Sequence, residues 1–123
     1  MVDRASVRCM VVDDDHDGAE LVAEFLAGLG AEVRVVYGGR QAIDLAPHFR
    51  PQMVVLDLEM PVIDGIETCK SLRQQRWSSG AVIIAYTGRI IPNAVAMAAG
   101  FDHVVGKGDP PGIFQTILKG LTP

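Results

Sequence analysis

Only two cysteines occur in the 123 residues, Cys9 and Cys69, and their spacing matches no metal-binding pattern. A disulfide framework and a thiolate metal site are both excluded on that count, so each is expected as a small buried side chain in a reducing compartment. Aromatic residues are scarce at 6%, and no run of Lys and Arg is interleaved with them. With a formal net charge of −4, the chain carries no electrostatic footprint for direct binding to nucleic acid or to an anionic membrane. Long apolar runs are missing too: none is long enough to span a bilayer, and the opening MVDRASVR has no apolar signal-peptide core. A cytoplasmic protein is the expectation. Repeats, low-complexity tracts and linkers are likewise absent, and the length suits a single domain, 1–123, with room for one core.

What the sequence does have is alternation. Short runs rich in Val and Ile, VRCMVV (7–12), AEVRVVY (31–37), QMVVL (52–56), AVIIAY (81–86) and HVV (103–105), read as five strands. Helical patterns separate them. Val22, Phe25, Leu26 and Leu29 recur at helical spacing, with Gly30 as a stop; a weaker pattern covers 39–48, where Pro47 is expected to distort or end the last turn. A third helix is expected over 64–75, a fourth from Pro92 as its first residue to Gly100, and a fifth around Phe114, Ile117, Leu118 and Leu121. Five strands alternating with five helices predict an α/β fold: a doubly wound, five-stranded parallel sheet of flavodoxin-like order 2-1-3-4-5. Ligands of such sheets bind beyond the carboxyl ends of the strands.

Those ends carry reactive side chains. Asp13, Asp14 and Asp15 follow the first strand, Asp57 the third in VVLDLEMPVIDG, Thr87 the fourth in AYTG, and Lys107 the fifth in VVGKGD. Each alone reads most simply as a turn, cap or solvated residue. Together, in this order and each at a strand end, they make the chain resemble the receiver domain of two-component response regulators. The resemblance implies that Asp57 accepts a phosphoryl group from a histidine kinase or histidine phosphotransfer protein. It further implies a Mg²⁺ site in which Asp14 and Asp57 ligate directly, Asp13 ligates through water and Glu59 contributes its backbone carbonyl. Thr87 and Lys107 would contact the phosphoryl oxygens, and Asp15 would be a turn or N-cap residue. Oxygen-rich clusters of this kind suit a hard divalent cation. Two other readings of the same residues stay open: a Mg²⁺-dependent phosphohydrolase acting on an external substrate, and a degenerate receiver that binds partners without phosphorylation. No output domain is visible, so a stand-alone or excised receiver is expected, acting on itself rather than as an enzyme.

Two positions depart from the family pattern. Gly108 stands where receivers usually have proline after the Lys, and Val104 stands where they usually have Tyr or Phe. Gly106 and Gly108 predict a trans Lys107–Gly108 bond and a loop that leaves Lys107 poorly aimed. Val104 is too short and stiff to act as a rotating ring. The stretch IIPNAVAMAAG is apolar on more than one side, so a partner surface for a homodimer or an effector is expected over 89–105. His16, His48 and His103 read as surface or loop histidines, Met53, Met60 and Met97 as core or interface filler, and Trp77 as a partly covered loop anchor.

Overall fold

A computed structural model describes residues 7–89 and 91–121. Expectations that touch residues 1–6, Ile90 and residues 122–123 lie outside the described residues. The strands are β1 (Arg8–Val12), β2 (Glu32–Val36), β3 (Met53–Leu56), β4 (Val82–Thr87) and β5 (His103–Gly106), all parallel, in the order β2-β1-β3-β4-β5. The helices are α1 (His16–Gly28), α2 (Gly39–Phe49), α3 (Gly65–Arg73), α4 (Asn93–Ala99) and α5 (Pro110–Leu121). None is long and apolar enough to cross a membrane. Fold class and strand order agree with the sequence reading.

The side-chain period of two along each strand divides the core into two layers. Met10, Val12, Val54, Leu56, Ile83 and Ala85 point into one cluster with Ala42 and Ala46 of α2, Leu72 of α3 and Ala96 and Ala99 of α4. Cys9, Val11, Met53, Val55, Ile84 and Tyr86 point into the other, where α1 contributes Val22 and Leu26, and α5 contributes Ile113 and Ile117. With helices on both faces, the central strands need no polar side, which is why MVVL is buried throughout. Both cysteines are free and buried, and burial pushes each thiol up to about 12, so neither is ionised at neutral pH.

Element boundaries differ from the sequence reading in three places. Pro47 does not end its helix: α2 continues to Phe49 and closes on Arg50 in the left-handed region. Pro92 is the N-cap of α4 rather than its first helical residue, and Gly100, at φ 106, closes that helix as a left-handed glycine should. The expected third helix stops at Arg73 and gives way to a 3₁₀ turn over Arg76–Gly80. Arg73, the last residue of α3, anchors this junction. Its guanidinium donates to the carbonyls of Gly100, Ser78 and Ala81 and to the Asp102 carboxylate, at 2.7–2.9 Å. One side chain thereby ties the ends of α3 and α4 to the start of β4. No pattern along the sequence marks Arg73, because its partners come from separate segments.

Candidate functional site

The register of the sheet brings the site together. Val12 lies opposite Leu56, so Asp13 and Asp57, the next residue of each chain segment, leave the same edge side by side. Their backbones continue the ladder, with the Asp57 N–H donating to the Val12 carbonyl at 2.9 Å and the Asp13 N–H to the Val36 carbonyl at 3.2 Å. The Lys107 N–H does the same with the Thr87 carbonyl at 2.9 Å, one residue beyond β5. Counting by twos along each strand, Asp13, Asp57 and Lys107 share the parity of Val11, Val55 and Val105. Thr87 shares the parity of Ile83 and Ala85, facing the other layer.

Asp13 and Asp57 are buried, while Asp14 is exposed. One oxygen from each of the three lies within 4.8 Å of the others. The Lys107 ammonium donates to Asp13 Oδ2 at 2.9 Å and lies 3.6 Å from Asp57 Oδ2. This corrects the expectation of a poorly aimed lysine: attraction to two buried carboxylates outweighs the freedom of the flanking glycines. No cis peptide bond occurs among the described residues. The remaining carboxylate oxygens accept from the backbone, Asp57 Oδ1 from the Glu59 N–H at 3.2 Å and Asp13 Oδ1 from the Asp15 N–H at 2.9 Å. Asp15 is indeed the N-cap of α1, though its side chain makes no capping bond.

Burial raises the Asp57 carboxyl to about 6 and the Asp13 charge adds to the rise, against the lowering pull of the Glu59 N–H and Lys107. Burial alone would lower Lys107, but its bond to Asp13 and the charges of Asp13, Asp57 and Asp15 hold it above its ordinary value. The site is therefore a carboxylate cluster short of positive charge, with one fixed ammonium. Thr87 is buried, and its Oγ1 accepts from the Arg89 N–H at 3.0 Å; no hydrogen bond joins it to the carboxylates among the described residues. Val104 is exposed and forms one wall, with Thr87, Ile91 and Lys107, of a cavity of about 200 Å³.

Below Asp57, the loop to α3 is fixed by two features that the sequence reading left unused. Asp64 caps α3 by accepting from the Glu67 N–H at 2.9 Å. A Cβ on Gly65 would stand 2.2 Å from the Asp57 carbonyl oxygen, so only glycine lets the helix begin this close to the phosphoacceptor position. Between them and Glu59, Val62 adopts φ 70 while the Ile63 N–H donates to the Pro61 carbonyl at 2.8 Å. That is a γ-turn of the rarer, positive-φ hand, strained for a β-branched residue. Val62 is also fully exposed, so no packing offsets the strain. Relief of strain of order 1–3 kcal/mol exceeds the added chain entropy of glycine, roughly 0.4–1 kcal/mol. Val62→Gly is expected to stabilise the protein by about 1 kcal/mol in urea unfolding; an unchanged or lower midpoint would show an unstrained turn.

Of the other residues singled out, Met53 and Met60 are core, whereas Met97 is exposed and serves no core role. His48 and His103 are exposed, and His16 stacks on Tyr37 with ring centroids 3.8 Å apart. Trp77 is partly buried against the core, as an anchor should be.

Comparisons with known proteins agree with this architecture. The response regulator receiver domain model matches residues 9–117. Response regulator MprA of Mycolicibacterium vanbaalenii is 34% identical over 101 residues, 82% of this chain and 44% of that protein. DNA-binding response regulator MtrA of Mycolicibacterium smegmatis is 33% identical over 108 residues, 86% of this chain and 46% of that protein. The chain thus spans about half the length of the curated relatives it matches. Among solved structures, chemotaxis protein CheY4 of Vibrio cholerae superposes with a TM-score of 0.85 at 25% identity, covering 94% of this chain and 98% of that one. A strand order of 2-1-3-4-5, an acidic cluster answered by one lysine at the carboxyl edge, and a family match over nearly the whole chain lead to one assignment: the chain belongs to the response regulator receiver domain family.

Proposed function

We propose that residues 1–123 form a single receiver domain in which Asp57 accepts a phosphoryl group from a phosphohistidine of a histidine kinase or histidine phosphotransfer protein. The observation that carries this reading is the Asp57 carboxylate, set between the oxygens of Asp13 and Asp14 and the Lys107 ammonium. One oxygen from each of the three carboxylates lies within 4.8 Å of the others, which suits a cation that Asp14 and Asp57 would ligate directly and Asp13 through water. Asp13, Asp14 and Asp57 would hold it, with the Glu59 carbonyl as a further ligand, and when bound it neutralises phosphoryl oxygens.

The chain's own residues then have separable tasks. An Asp57 oxygen attacks phosphorus, the P–N bond breaks, and the imidazole keeps the electron pair and takes a proton. Lys107 balances the charge on one phosphoryl oxygen. The Thr87 hydroxyl, which accepts from the Arg89 N–H, turns its proton toward another. Water later cleaves the acyl phosphate, so the protein modifies itself and does not turn over an external substrate. Partner contacts would change over residues 89–105, where Val95, Met97 and Val104 stay exposed while Ile91 packs on the core. A homodimer or an effector is the proposed occupant. DNA binding, in the name of MtrA, belongs to a protein of which this chain matches less than half, and we assign none to this segment. A cytoplasmic location accompanies the reading.

The test is incubation with acetyl phosphate, with and without Mg²⁺, followed by intact mass and peptide mapping. One phosphoryl group on Asp57, formed only with Mg²⁺, is expected. No modification, or a label on another residue, would overturn the assignment.

A further inference from the structure

At the end of the sheet opposite the acidic cluster, the fold gathers three arginines around the chain's single tryptophan. Arg8 opens β1, Arg50 closes α2, and Arg76 and Trp77 lie in the turn before β4. Two adjoining cavities of about 390 Å³ each share Trp77 and Arg50; Arg8 and Gln52 help line the first, Pro47 and Arg76 the second. Among the described residues, no carboxylate lines either. The Arg8 Nε–H donates to the carbonyls of Phe49 and Arg50, both at 3.0 Å, which fixes the guanidinium, and its terminal amino groups make no hydrogen bond among the described residues. The Trp77 indole N–H is held by Gln75 Oε1. The side chains of Arg50 and Arg76 make no hydrogen bond or ion pair among the described residues.

An acidic chain that leaves guanidiniums unbalanced around one indole ring has built the complement of an anion carrying a flat ring. Guanidinium forks match phosphate oxygens, and a tryptophan face stacks a base. Cavities of this size suit a compact ligand rather than an extended segment, which would need a groove with successive side-chain pockets. We propose that the Arg8, Arg50 and Arg76 cluster binds a nucleotide, with the base against Trp77 and the phosphates on the guanidiniums. The site shares no residue with the phosphoryl-transfer cluster and does not depend on it.

Because Trp77 is the only tryptophan, its fluorescence reports this site directly. The chain is titrated with ADP in buffer containing a chelator and no Mg²⁺, so that the acidic cluster cannot bridge phosphates through a cation. Saturable quenching in the sub-millimolar range is expected. Adenosine and inorganic phosphate are each expected to bind at least tenfold more weakly. The double variant Arg50→Gly, Arg76→Ala should lose at least tenfold in affinity with its urea midpoint retained, since glycine accepts the φ of 51 at position 50. A linear, unsaturated response, equal binding of phosphate alone, or quenching unchanged in the double variant would overturn the proposal. So would tighter binding of a short single-stranded oligonucleotide than of ADP, which would make the surface a nucleic-acid site.

Discussion

Replacing Asp57 with Asn is expected to abolish phosphorylation by acetyl phosphate and, at the same time, to make the metal-free protein more stable at neutral pH. The first effect follows from removal of the proposed nucleophile, since an amide cannot take the place of the carboxylate that lies beside Asp13, Asp14 and Lys107. The second follows from the cost of ionising it. Burial, reinforced by Asp13, raises Asp57 to about 6 in the folded chain, against about 3.9 for an unfolded aspartate. The folded state therefore binds this proton more tightly than the unfolded state does. Its stabilising contribution is fully present below about pH 4 and is lost as pH rises through about 6. Asparagine keeps the shape of the protonated form at every pH. The stability gap between variant and parent should thus be small at about pH 4 and grow to roughly 2–3 kcal/mol above pH 6. Urea unfolding of both proteins across that range measures it. A gap independent of pH would mean that ionised Asp57 is not under strain. Saturating Mg²⁺ should narrow or reverse the gap, because only the parent retains all three carboxylates for the cation.

Gly65→Ala is expected to damage the fold and the site together. The new Cβ would meet the Asp57 carbonyl oxygen at 2.2 Å and the Leu58 Cα at 2.7 Å, both backbone atoms that no rotamer change can clear. The bond from the Gly65 N–H to the Leu58 carbonyl, 3.0 Å, would have to open as well. Overpacking of this kind costs about 1–3 kcal/mol, and the upper end applies where backbone must move. A shift of about 1 Å in Asp57 would slow phosphorylation roughly 100-fold. Gly108→Ala is the control, since a Cβ there meets nothing within 4 Å, and its stability should stay within about 0.5 kcal/mol of the parent. Equal behaviour of the two variants would show that close approach at Gly65 plays no part.

Most of the fold was legible because the signals that specify it are local. Runs of Val and Ile, helical spacing in α1 and α5, and a glycine at the end of α4 act over a few residues, and the strands fall within a residue of their expected ends. The carboxyl-edge residues were legible for the same reason: each follows its own strand directly. Boundaries slipped where a local rule met a tertiary one. Pro47 loses a hydrogen bond, yet burial of Phe49 holds the last turn of α2 in place. The third helix stops at Arg73, whose side chain bonds carbonyls that only folding brings near it.

The sequence by itself determined the alternation of elements, the parallel sheet and the set of groups at its carboxyl edge, because periodicity and chain order carry that information. Only the tertiary structure decided how those groups are charged and aimed. Lys107 sits between two glycines that argue for freedom, but Coulombic attraction from two buried carboxylates fixes it, and no count along the chain reveals their burial. Arg8, Arg50 and Arg76 show no cluster in the sequence and converge on Trp77 only after folding. Distances between residues remote in sequence are set by strand register and helix packing, and electrostatic energies follow distance and burial rather than sequence separation.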